Sequence, residues 1–332
     1  MHIEKITALM DELDPKLIVL LCHHNADPDA VCSAYAFSRL LEQLKPELQV
    51  EIGAAQGPSR LSKHMLKSLP ITLVEHPRIE DADIIILLDT NTVQQLDEWS
   101  ELVRASSSPV VVIDHHAKHP ETESLATISV IDEEASSTCE IVYRLFKESE
   151  EKLPETEARA LFLGIAFDTR HFILASSATL KAVADLVDAG VNAKETLSLL
   201  SLPMESSERI ARLKASQRAR LIRLDDWMIT SSPIGAYQAS VARALVALGA
   251  HVAVAAGEKD SKLQVSLRAC SEFYKKTRIH LGRDIAKPLG EFLHGMGGGH
   301  ALSAGANGVG EVEACLEYCV VLLREKLEGA LT

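Results

Sequence analysis

The sequence predicts a doubly wound α/β domain with a mostly parallel sheet, then a smaller α/β domain, with an active cleft between them. Three observations predict this. Short, nearly continuous apolar runs recur at Lys16–Cys22, Asp83–Asp89 and Val110–Ile113, rich in β-branched residues as strands covered on both faces are. Segments with helical apolar spacing alternate with them, as in βαβ units. Between Pro203 and Arg223 the chain turns polar and helical, and strand signals resume beyond it. With 332 residues, 47% of them hydrophobic and 24% charged, the chain can build two cores.

In chain order, Lys16–Cys22 reads as a strand, Ala30–Leu44 as a helix and Val50–Ala54 as a second strand, followed by the strands at Asp83 and Val110. Helices are expected near Thr138–Lys147, Thr156–Phe167 and Ser177–Ala189, with Gly190 as the stop of the last. The expected boundaries are 1–195 for the first domain, 196–225 for a connecting helix and 226–332 for the second domain. The connector crowds Arg209, Arg212, Lys214, Arg218, Arg220 and Arg223, a face that is either simply solvated or lines a cleft for an anionic substrate. The second domain opens at Trp227–Thr230 and continues through a helix at Ser240–Leu248 and strands at His251–Ala255 and Leu263–Arg268. It closes on a glycine-rich loop, Gly295–His300, and a helix at Val312–Leu327.

Composition narrows the function. A formal net charge of -13 argues against coating long duplex nucleic acid, because phosphate neutralisation needs a basic surface. Part of that charge is clustered carboxylate, whose sign a bound metal pair would locally reverse. No stretch approaches the roughly 20 apolar residues of a membrane span. The first residues also lack the regions of a secretory signal, so a cytoplasmic location is expected. Cys22, Cys32, Cys139, Cys270, Cys315 and Cys319 sit mostly within apolar patterns without paired C-x-x-C spacing, and read as small core residues.

The chemistry concentrates at element ends. Val110–Ile113 runs into Asp114-His115-His116, beyond the carboxyl end of a buried strand, where parallel sheets bind ligands. Adjacent histidines on an extended chain point in opposite directions, so the backbone must turn there if both serve one site. Between a strand and a helix lie His23, Asp27 and Asp29. Two close carboxylates need a cation or a proton, and a cation also explains the imidazole. The alternative for one acid is an N-cap, with Pro28 in the first helical turn. Asp89 ends another strand, and Asp168 ends an apolar helical segment.

His23-x-x-x-Asp27-x-Asp29-Ala30, strand-ending Asp89, Asp114-His115-His116 and Asp168-Thr169 resemble, in order and spacing, the motifs of the DHH phosphoesterase superfamily. Gly297-Gly298-Gly299-His300 with Ser303-Ala304-Gly305 is similar to the signature of the DHH-associated C-terminal domain. The whole pattern is most similar to the nano-RNases, a subfamily that includes phosphatases of 3'-phosphoadenosine 5'-phosphate.

The resemblance implies two divalent metal ions, Mn2+ first, with Mg2+ or Co2+ as alternatives; oxygen and imidazole donors without thiolate suit manganese. His23, Asp27 and Asp89 would hold one ion, and Asp29, Asp89, His115 and Asp168 the other, with Asp89 bridging. His116 would face the phosphate and Asp114 would support a histidine. Such a pair activates a water for in-line attack on phosphorus. Gly297, Gly298, Gly299, His300 and Arg268 would hold the terminal nucleotide.

The implied activity is hydrolysis of very short single-stranded oligonucleotides to mononucleotides. Alternatives within the class are a 3'-phosphoadenosine 5'-phosphate phosphatase, a linear or cyclic dinucleotide phosphodiesterase and a RecJ-like exonuclease; outside it stands a catalytically silent scaffold. Apolar helix faces make a homodimer a further expectation. Two departures stand out: Arg170 and His171 follow Asp168-Thr169 where relatives place glycine, and His24 has no implied role.

Overall fold

The computed structural model describes residues 2–259 and 262–330 and divides into two compact units, Met1–Leu202 and Pro203–Thr332. In the first, β1 (Leu17–Cys22), β2 (Gln49–Ala54), β3 (Ile84–Leu88), β4 (Val110–Asp114) and β5 (Ala126–Ile131) form a parallel sheet in the order β2-β1-β3-β4-β5. Every residue of β1, β3 and β4 is buried, as their unbroken apolar runs require. β5 has only Val130 buried; as a half-exposed edge strand it lacks the continuous run that marks the others, and the sequence reading missed it.

Nine helices among the described residues accompany this sheet: α1 (His2–Leu13), α2 (Pro28–Leu44), α3 (Arg60–Met65), α4 (Ser100–Ala105), α5 (Pro120–Leu125), α6 (Thr138–Ser149), α7 (Glu155–Asp168), α8 (Ser177–Asp188) and α9 (Ala193–Ser198). One core joins α1, α2, α6, α7 and α8 to one sheet face, and a second core covers the other face with the 3₁₀ segment Val93–Trp99 and α4. This is the doubly wound arrangement, with the loops after β1, β3 and β4 at one edge.

The second unit starts with α10 (Ser206–Arg218) and a six-stranded sheet: β6 (Arg220–Leu224), β7 (Trp227–Pro233), β8 (Val252–Lys259), β9 (Lys262–Ala269), β10 (Met296–Gly299) and β11 (Ser303–Gly308). Their order is β10-β11-β9-β8-β7-β6, antiparallel except between β7 and β8. It carries α11 (Gln238–Ala247), α12 (Ser271–Thr277), a π-helical turn (Leu281–Ala286), α13 (Lys287–Phe292) and α14 (Val312–Ala330).

Two expectations change. The connecting helix stops at Arg218, and Arg220–Leu224 is an edge strand with only Leu224 buried, so its polar sequence reflects exposure rather than helix. The glycine-rich loop is largely strand β10, paired along its length with β11. All six cysteines are free thiols, five of them buried. No helix among the described residues is long and apolar enough to cross a membrane.

Candidate metal centre

Asp27 serves two purposes at once. Its Oδ1 caps α2, accepting from the backbone N–H groups of Asp29 at 3.0 Å and Ala30 at 3.2 Å, which is why the helix starts at Pro28. Its Oδ2 lies 3.9 Å from His23 Nε2. The His23 ring is oriented from behind, Nδ1–H donating to the His24 carbonyl at 2.8 Å, so Nε2 faces Asp27 and, at 3.7 Å, Asp89.

Asp29, one residue into α2, is fully buried on the N-terminus of α6. Its carboxylate accepts from Thr138 N–H at 2.7 Å and Cys139 N–H at 3.0 Å, two donors that a helix start leaves without intrahelical partners. The Thr138 hydroxyl donates to Asp89 Oδ1 at 3.0 Å. One helix start therefore holds two acids. Asp89 follows β3 in the left-handed region, φ 54°, which turns its side chain out of the strand's alternation; its N–H bonds Ile113 O at 3.1 Å.

β4 ends at Asp114 and the chain turns, as a shared histidine site requires. The rings of His115 and His116 lie 4.2 Å apart. Buried Asp114 accepts from both the N–H and Nδ1–H of His116, at 2.9 and 2.8 Å. His115 Nε2 lies 3.1 Å from Asp168 Oδ2, at the end of α7, and 3.6 Å from Asp89 Oδ1. α7 comes close because it carries Gly164: a Cβ there would stand 2.2 Å from Cys139 Sγ and 2.7 Å from Asp29 Oδ1. We expect Gly164→Ala to destabilise the protein by about 1–3 kcal/mol, read from denaturant unfolding.

Three donor groups result among the described residues: His23, Asp27 and Asp89; Asp29, His115 and Asp168; Asp89, His115 and His116, each with donor atoms within 4.8 Å of one another. Asp89 and His115 each belong to two. His24 is in none: its Nδ1 is 3.1 Å from Gln95 O. Arg170 and His171, both exposed, hold φ 51° and 58°, the region where glycine is unstrained. Arg268, His300 and the glycines lie on the second unit: Arg268 on β9, Gly297–Gly299 in β10 and exposed His300 just after it.

The electrostatics suit cations. Burial raises the Asp29 carboxyl well above its usual range, and Asp168 and Asp27 add to this. Asp89 is raised likewise, by burial first and then Asp29, Asp27 and Asp114; Asp27 is also raised, chiefly by burial. Burial opposes charge on His115, but the nearby carboxylates of Asp168 and Asp89 prevail and raise it. His116 is raised mainly by its bond to Asp114. His115 Nε2 is buried without a well-directed hydrogen bond, although two carboxylates face it. Crowded carboxylates around an unsatisfied imidazole nitrogen fit divalent ions.

Thr138 and Gly164 were missed in the sequence. The Ser137-Thr138 helix start was a signal for Thr138, since a helix N-terminus seeks an anion. Thr138→Val keeps the backbone donors and removes the hydroxyl on Asp89. We expect metal affinity or turnover to fall about 10–100-fold, measured by manganese titration of activity.

Acids and imidazoles gathered beyond the carboxyl ends of a parallel sheet define a candidate site for divalent metal ions. The profile of the DHH family, N-terminal domain, matches residues 17–165. The chain is 34% identical over 304 residues to an uncharacterized protein, MJ0988, of Methanocaldococcus jannaschii, covering 90% of this chain and 89% of that one. Over 188 residues it is 28% identical to the bifunctional oligoribonuclease and PAP phosphatase NrnA of Bacillus subtilis, covering 55% of this chain and 56% of that one. Over 187 residues it is 30% identical to a probable manganese-dependent inorganic pyrophosphatase of Streptococcus thermophilus, covering 54% and 57%. The chain belongs to the DHH family.

Proposed function

We propose that the protein is a manganese-dependent phosphodiesterase that hydrolyses very short oligonucleotides to mononucleotides in the cytoplasm. The observation that carries this reading is the convergence of His23, Asp27, Asp29, Asp89, His115 and Asp168 into overlapping donor groups. Two divalent ions held there would supply positive charge and an activated water for in-line displacement at phosphorus. The chain's own groups do the rest. Asp89, between two donor groups, fixes their spacing; Asp27 and Asp29 are oriented by helix starts. His116, kept protonated more readily by Asp114, donates to a phosphate oxygen. Arg268, His300 and the Gly297–Gly299 segment contribute nucleotide binding from the second unit.

Oxygen and imidazole donors without thiolate favour manganese over softer metals. The similarity to an oligoribonuclease and to a pyrophosphatase covers about half of the chain in each case at nearly equal identity, so we assign the choice of substrate to the second unit's residues. The test is manganese-dependent digestion of 3'-phosphoadenosine 5'-phosphate, dinucleotides, longer RNA and DNA strands, and pyrophosphate, with products separated by chromatography. Mononucleotide release should be fastest from the shortest strands and fall with length. Turnover of the bisphosphate or pyrophosphate alone would overturn the reading.

A further inference from the structure

His24 stands outside the donor groups, yet its backbone carbonyl orients a member of one. That carbonyl accepts from His23 Nδ1–H at 2.8 Å, which leaves His23 Nε2 with the free lone pair that faces Asp27 and Asp89. His24 is fixed in turn by a single atom. Its backbone N–H and its ring Nδ1 both reach the carbonyl oxygen of Gln95, at 2.7 and 3.1 Å; a carbonyl only accepts, so Nδ1 carries the proton. Gln95 lies in the 3₁₀ segment Val93–Trp99, on the connection that leaves β3 through Asp89. Val93, Leu96 and Trp99 are buried in the second core, and a capping box between Thr92 and Gln95 fixes the segment's start. One connection thus supplies both Asp89 and the acceptor that holds the His23 loop.

Asp97, in the same segment, breaks two local rules. Its backbone holds φ 49° and ψ −118°, outside the regions open to residues with a Cβ. Its Oδ2 is buried with no hydrogen-bond partner among the described residues, although buried carboxylate oxygens nearly always find one. Both departures point the same way: that oxygen lies 3.7 Å from His24 Nδ1. Strain and unpaired polar atoms persist in folded chains where a functional site holds them in place. The site within reach is the one His23 serves.

We infer that His24, held between the Gln95 carbonyl and the Asp97 carboxylate, is a positioning residue for the ion that His23, Asp27 and Asp89 would hold. The inference rests on the metal-centre reading above and deepens it. An imidazole ligand binds through one lone pair in the plane of its ring, so the bond behind the ring decides where that lone pair points. If the His24 peptide tilts, its carbonyl leaves His23 Nδ1 and the ring is free to turn. The ring of His24 resists that tilt by adding a second bond to the acceptor its backbone already uses. Negative charge on Asp97 beside Nδ1–H draws the ring onto the segment. The group of Asp29, His115 and Asp168 takes no part in this latch: Asp29 is held by α6, and Asp168 stands at the end of α7. The latch therefore acts on one ion of the two.

The test is equilibrium titration of the metal-free full chain with manganese, the free ion being followed by its electron paramagnetic resonance signal. Wild type should take up two ions. His24→Leu keeps the bulk of a half-exposed side chain and removes the donor; it should bind one ion as wild type does and the other about tenfold more weakly. His24→Asn places an amide N–H at the same two-bond distance from Cβ as Nδ1 and should restore most of that loss. Asp97→Gly should weaken the same ion while the metal-free melting temperature holds or rises, since glycine accepts the backbone and no buried oxygen is left unpaired. A merely structural role would lower the metal-free melting temperature and weaken both ions together, and that result would overturn the inference. So would two ions held as tightly by natively melting His24→Leu and Asp97→Gly as by wild type, or a His24→Asn no better than His24→Leu. The readings fail separately. Two ions on wild type and on every variant alike removes the latch alone; no manganese on wild type removes the metal centre itself; and a selective loss of one ion, with no hydrolysis of any oligonucleotide by wild type, removes the activity alone.

Discussion

Asp89→Asn is expected to lower turnover by more than about a hundredfold, beyond the range typical of residues that only support ligands, while the fold stays intact. Asparagine tolerates the left-handed backbone at least as well as aspartate, so φ 54° at this position adds no strain. The N–H bond to Ile113 remains. What disappears is the buried charge shared by two donor groups. The metal-free variant should melt no lower than wild type, because one of the crowded carboxylates is now neutral. Manganese is expected to raise the melting temperature of wild type but not of the variant. Scanning fluorimetry with and without manganese, beside the activity assay, checks both. A fully active variant would remove Asp89 from the centre.

The second large effect is on the metal-free protein. Asp27, Asp29 and Asp89 are all raised in the fold, mainly by burial. The folded state thus binds more protons than the unfolded one, where an aspartate titrates near 3.9. Stability is lost as pH rises from about 4 through the raised folded values, the opposite of a salt-bridged carboxylate. Chelated protein should therefore melt at progressively lower temperature as pH rises above about 4. Metal-loaded protein should not follow it down, so the gap widens with pH. A metal concentration of about 100 times Kd adds roughly 2.7 kcal/mol to the unit that binds it. Parallel melting curves across pH, with EDTA or manganese, give the result; a gap that narrows as pH rises would contradict it.

Much of the first unit was legible in the sequence because its signals are side chains. The all-buried strands β1, β3 and β4 show as apolar runs, and the acids and histidines stand where those runs stop. Asp27 caps α2, as one of its two readings had it, and its other carboxylate oxygen lies 3.9 Å from His23. What the sequence hid is carried by the backbone. The donors that hold Asp29 are the N–H groups of Thr138 and Cys139, which nearly any residue would supply. Gly164 shows its reason only once α6 and α7 are packed. Met296–Gly299 read as a loop because glycine disfavours strands, and only pairing with β11 makes it one.

The hold of Thr138 and Cys139 on Asp29 spans 109 and 110 positions. On the ribosome, Asp29 is made long before the residues that orient it, and Asp168 emerges later still. A nascent chain released after β5 already contains every strand of the parallel sheet, yet it carries Asp29 with neither the α6 donors nor Asp168. The candidate metal centre is thus among the last features of this unit to exist, and metal uptake by ribosome-bound chains of increasing length is the measurement that would mark the point at which it closes.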